Sequence, residues 1–223
     1  GAWFILSPEV GRVRIPRSRS PLGKPVLKPP VLLATIIGFL LIGACSAVEV
    51  GVVATFEHGS LAAGLVLAVF AVGSLAGGLS FGHIPIGPWA MARRLTIVTV
   101  GLALTMFSLN EFWLGGTLIV AGIGVAPALA VLFAITTASV KFSETAEAFG
   151  WAGTGQLIGA AAGSAVAGFL VDATDPRGAY LAATLFAAAG LVVSIVFVRS
   201  FPDLRHRDAS PHPDTEPLAV TPS

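Results

Sequence analysis

Between Val31 and Val198 the sequence alternates long apolar runs with short breaks of charge, proline or paired polar residues. There are six runs: Val31 to Phe56, Ser60 to Phe81, Met91 to Leu109, Phe112 to Ser139, Ala146 to Val171 and Ala179 to Val198. Each is near or above the roughly 20 residues with which an α-helix crosses about 30 Å of hydrocarbon. An unpaired backbone group in lipid costs several kcal/mol, so runs of this kind must be helical. Composition points the same way, with 11% charged residues and a mean hydropathy of +0.86, against about 25% charged residues in ordinary soluble domains. The predicted fold class is all-α, a polytopic membrane protein with six transmembrane helices.

Charge placement orients these helices. Twelve of the 13 Lys and Arg fall on one side of the bundle, and only Arg177 falls on the other. The positive-inside rule makes the majority side cytoplasmic, which predicts a multi-pass cell-membrane protein with its C-terminus inside. The opening GAWFILSPEV places apolar residues before the charges, the reverse of a secretory signal, and carries no initiator Met. Residues 1–7 therefore read as the end of a preceding transmembrane helix, and the chain as a fragment. Residues 8–30 hold Arg12, Arg14, Arg17, Arg19, Lys24 and Lys28 among six prolines. That composition suits a basic cytoplasmic linker, and beside a span it argues for the lipid bilayer rather than nucleic acid as partner. Residues 201–223 carry five prolines and read as a disordered cytoplasmic tail.

Small residues mark where helices should meet. Gly155, Gly159 and Gly163 stand four apart in the fifth run and share one helical face. Gly73 and Gly77, with Gly78 beside them, give the second run a similar surface. In lipid such faces admit another helix backbone at close range. Of the 15 prolines only Pro127 lies inside a run, after Gly122 and Gly124, which predicts a kink or partial unwinding of the fourth helix. The least marked boundary is at Asn110 and Glu111.

Enzymatic readings find little support. His58, His83, His206 and His212 all lie in loops or the tail, which argues against a Ser–His dyad or a metal cluster within the bundle. The single cysteine, Cys45, excludes an intramolecular disulfide framework. No catalytic residue, metal or cofactor is expected.

Six spans entered through a long basic linker resemble the C-terminal half of a major facilitator superfamily transporter. The resemblance is closest in AEAFGWAGTGQLIGAAAGSAVAGFLVD followed by ATDPRGAYLAA, which is similar to the last two helices of bacterial drug and sugar-efflux members. It implies a six-helix half bundle built as a 3+3 inverted repeat. It also implies that the first and fourth helices line the substrate path, the second and fifth face the other half, and the third and sixth pack outside. On that basis the faces at Gly73, Gly77, Gly78, Gly155, Gly159 and Gly163 are expected to form the seam to a missing N-terminal six-helix half of the same protein. The loop after the second helix departs from the family pattern: GGLSFGHIPIGPWAMARRL keeps Arg93 and Arg94 as basic anchors but has no Asp.

Glu49, in ACSAVEVGVVATF, is the leading candidate for chemistry. A carboxylate within a span costs on the order of 3 kcal/mol on insertion scales, so a function or a partner should offset it. Thr35, Ile42, Ser46 and Glu49 fall on one helical stripe, which would set hydroxyls below the carboxylate along a wet path. Glu49 then reads as a proton-coupling or substrate-contacting group, or alternatively as a protonated or hydrogen-bonded Glu near the outer interface. Gln156 is a further candidate contact, or a buried amide linking helices. The function expected is secondary active transport, proton-coupled efflux of a small organic solute by alternating access. The alternative is a non-transporting membrane scaffold, or a half-transporter that pairs with itself.

Overall fold

A computed structural model describes residues 27–56, 60–205 and 209–213. The helix end expected at 1–7, and nearly all of the linker at 8–30, lie outside the described residues. Six long helices are present among the described residues: α1 Pro29–Thr55, α2 Leu61–Phe81, α3 Ala90–Thr105, α4 Glu111–Ala138, α5 Thr145–Ala173 and α6 Arg177–Val196. Single 3-10 turns follow α4 at Phe142–Glu144 and α6 at Val198–Ser200. The described residues form no strand, only an isolated pairing of Lys141 with His212.

Local chemistry sets the helix starts. Pro29 and Pro30 open α1, where a missing N–H costs nothing. The Ser60 hydroxyl accepts from the Ala63 N–H at 3.2 Å to cap α2, and the Asn110 side chain accepts from the Phe112 N–H at 3.0 Å to cap α4. Asn110 and Glu111 thus divide the third and fourth spans as expected. The third span is shorter than the apolar run that encodes it. With 16 residues α3 reaches about 24 Å, short of a full hydrocarbon crossing. Its last turn tightens where the Met106 N–H bonds to the Ala103 carbonyl, and the Trp113 indole donates to the Leu104 carbonyl at 2.8 Å, so 106–110 form the turn. The other five helices are long and apolar enough to span a membrane.

The packing is two-fold in plan. α1 and α4 form the centre, with α5 and α6 against α1 and with α2 and α3 against α4. α3 and α6 also pack on each other. Exchanging the first three helices for the last three maps the α1–α5 contact onto α2–α4 and the α1–α6 contact onto α3–α4, as a 3+3 repeat requires, whereas the α5–α6 contact has no comparable α2–α3 counterpart among the described residues.

The glycine faces are used inside this bundle, which corrects their expected place at a seam to another half. Thr35, Phe39 and Gly43 of α1 meet Gly155, Gly159 and Gly163 of α5 at a constant offset, so the two helices run parallel. A Cβ at Gly159 would lie 2.2 Å from the Phe39 carbonyl oxygen, and one at Gly163 2.1 Å from that of Gly43. The counterpart pair repeats the device: Cβ atoms at Gly73 and Gly77 of α2 would lie 2.6 and 2.0 Å from the Ile119 and Ile123 oxygens of α4. Gly78 sits more loosely, near Ala126. The reason is physical. Small residues at helical spacing show that a backbone comes close, without showing whose.

α4 is helical throughout Glu111–Ala138, so Pro127 does not unwind it. Proline removes the donor that the Ile123 carbonyl would use. It is against this oxygen that Gly77 packs.

The tail, expected to be disordered, is docked over its described part. Phe201 and Leu204 are buried, and the Leu204 N–H donates to the Ile86 carbonyl at 2.9 Å. Farther on, His212 exchanges backbone bonds with Val140 and Phe142 at 2.9 and 3.0 Å. Two apolar anchors and three backbone hydrogen bonds thus hold the described part of the tail at one end of the bundle.

Candidate functional site

Glu49 lies on α1 six residues before its end, exposed on a face of the bundle that no other helix covers. No hydrogen bond or ion pair to it is formed among the described residues. Ser46, one turn earlier, is half-buried. Thr35 is elsewhere. Its hydroxyl donates to the Val31 carbonyl at 2.9 Å, and its methyl meets Gly155 in the α1–α5 contact. Fourteen positions apart, Thr35 and Glu49 are separated by about 21 Å along the helix. Gln156 keeps company with Thr35: its side chain packs over Gly38 of α1, where a Cβ would lie 3.3 Å from Gln156 Cγ. The structure therefore brings Thr35 and Gln156 together in one region and leaves Ser46 and Glu49 in another.

Each end of the bundle has its own closure, and neither was legible in the sequence. At the end near Glu49, the Tyr180 and Thr55 hydroxyls are 3.1 Å apart, with the fully buried Tyr180 ring against Gly51. At the opposite end, which carries the described Lys and Arg residues other than Arg177, Lys28 Nζ donates to Glu144 Oε2 at 2.7 Å. The Lys141 N–H donates to the same oxygen at 3.2 Å. The Lys28 hydrogen bond, helped by that of the Lys141 backbone and by both positive charges, holds the Glu144 carboxyl below its usual range against the opposing effect of burial. The pair spans 116 residues, so no local pattern announces it.

Arg93 and Arg94 diverge at the start of α3. Arg93 is exposed, whereas Arg94 is 6% exposed and its Nε has no hydrogen-bond partner among the described residues. The Arg94 carbonyl packs against Gly124 of α4. Glycine on the facing helix lets α3 approach closely enough to bury the arginine. No group of three or more potential metal ligands occurs among the described residues.

Helix lengths, hydropathy and two-fold packing define a multi-pass membrane protein. A family model described as Major Facilitator Superfamily matches residues 94–221, which is 128 of the 223 residues. The chain belongs to the major facilitator superfamily of membrane transporters. No curated protein matches it.

Proposed function

We propose that this chain is the C-terminal half bundle of a secondary active transporter that exports a small organic solute in exchange for protons by alternating access. The observation that carries the reading is Glu49, a carboxylate within a membrane span, uncovered on one of the two central helices. A carboxylate at that position is costly in lipid, and a water-filled path between two half bundles removes the cost. The central helices α1 and α4 then supply the wall of that path. α2 and α5 are the least covered helices, with 17% of each span buried against 56% for α1 and α4. Their bare faces are large and apolar, with Leu65, Val72, Leu75 and Leu79 on α2 and Leu157, Ile158 and Phe169 on α5. These faces, rather than the glycines, meet the N-terminal six-helix half as the two bundles rock. The basic end faces the cytoplasm.

Efflux of a panel of organic cations, anions and neutral solutes by the intact protein tests this reading, with collapse of the pH gradient as control. Export that stops on uncoupling is the expected result. The same bare faces would also serve a scaffold or a self-paired half-transporter, and no movement of any solute would favour those readings.

A further inference from the structure

At the basic end an open cavity of about 1000 Å³ lies between the α2–α3 loop, the start of α3 and the end of α6. Arg93, Arg199 and Arg205 line it beside Trp89 and Phe201. Among the described residues one carboxylate pairs with these three cations: Asp203, 2.9 Å from Arg205 Nε. Arg93 and Arg199 form no ion pair among the described residues. Arg93 also lines an adjoining cavity of about 200 Å³ with Arg94, whose Nε is the buried, unpartnered donor described above. α3 begins beside both cavities with no side chain capping its first turn, which adds the positive end of its dipole. Unneutralised cations and a helix N-terminus border the larger cavity, and the orphan donor belongs to the smaller one that shares Arg93 with it.

We infer that this cavity is a phosphate-binding site occupied by the headgroup of an anionic phospholipid. Guanidiniums donate paired, charge-assisted hydrogen bonds to phosphate oxygens. The rest of the lining selects a lipid over a free anion: Trp89, Phe201 and Val198 give an apolar wall where α6 leaves its hydrophobic span, suited to the glycerol and first methylenes. Trp at such a boundary sits with its ring at headgroup depth. Bound there, the lipid ties the start of α3 to the end of α6, the two helices that pack behind the central pair.

The inference depends on the chain spanning a membrane but not on what it carries, so its test leaves transport aside. The intact protein is reconstituted in phosphatidylcholine nanodiscs with or without phosphatidylglycerol, and the lipid it retains after extraction is counted by native mass spectrometry. Wild type should retain phosphatidylglycerol in preference to phosphatidylcholine, and Arg93→Gln with Arg199→Gln should weaken that retention on the order of tenfold. Both arginines are exposed, so an unchanged melting temperature is expected and shows that the variant is folded. Arg177→Gln, at the other end, should retain the lipid as wild type does. Equal retention by the double variant, or no preference in wild type, would overturn the site. Displacement of phosphatidylglycerol by glycerol 3-phosphate alone would overturn the lipid as its occupant.

Discussion

α1 presents two faces that the bundle treats in opposite ways. Toward α5 it is closed, with glycine against backbone at Phe39 and Gly43 and no room for a side chain at Gly159 or Gly163. On its other side it is open, and there the Glu49 carboxylate stands without a partner among the described residues. α4 is closed against α2 by the same device. Rigidity and chemistry are thus assigned to different faces of the same helix: backbone contacts fix the half bundle as one body, which leaves the bare face to present a charge.

The largest effects should come from filling the closed faces. Gly77→Ala and Gly163→Ala each place a methyl about 2 Å from a carbonyl oxygen that the facing helix cannot withdraw. The cost should reach or exceed the 1–3 kcal/mol typical of overpacking, with loss of monodisperse protein in size-exclusion chromatography. Gly64→Ala and Gly168→Ala, where the added Cβ would meet nothing within 4 Å, should melt at or slightly above the wild-type temperature. Equal behaviour of the two sets would break the comparison.

A middle effect is expected at the Thr55–Tyr180 closure. Tyr180→Phe keeps the ring against Gly51 and removes one hydroxyl contact, and Thr55 retains its bond to the Gly51 carbonyl at 2.7 Å. A loss of about 1 kcal/mol in denaturant titrations sharpens the view that this end is held by packing rather than by polar bonds.

The smallest effect belongs to the Lys28–Glu144 pair, which is partly exposed and worth on the order of 1 kcal/mol or less. Its sign follows from linkage. The folded Glu144 carboxyl titrates below its unfolded value, so its stabilisation is complete above the unfolded pKa of about 4.3 and is lost as pH falls through the lower folded value. Melting temperatures should therefore drop in that acidic window for wild type and change less for Glu144→Gln.

The six helices were legible in the sequence because hydrophobic length and polar breaks are local properties. Asn110 and Ser60 signal their helix starts in the same local way. The end of α3 was less legible, since the Trp113 to Leu104 bond that helps close it joins different helices. Glycine spacing revealed close packing, but partner choice depends on tertiary arrangement, and the facing helices are α1 and α4 of the same bundle. The docking of the tail's described part and the Lys28–Glu144 pair were hidden for the same reason. Glu49 stood out early because a lone carboxylate in an apolar run is conspicuous at any level of description. Thr35 shared its stripe on paper but is turned into the α5 contact.

Proton movement by the Glu49→Gln protein tests the coupling most directly. In proteoliposomes with a pH dye trapped inside, addition of any solute that wild type carries should drive a proton flux that rises and falls with pH. Glu49→Gln should still fold and bind that solute while its proton flux disappears and its residual transport becomes independent of pH. A variant with wild-type proton flux and wild-type pH dependence would contradict the assignment of coupling to Glu49.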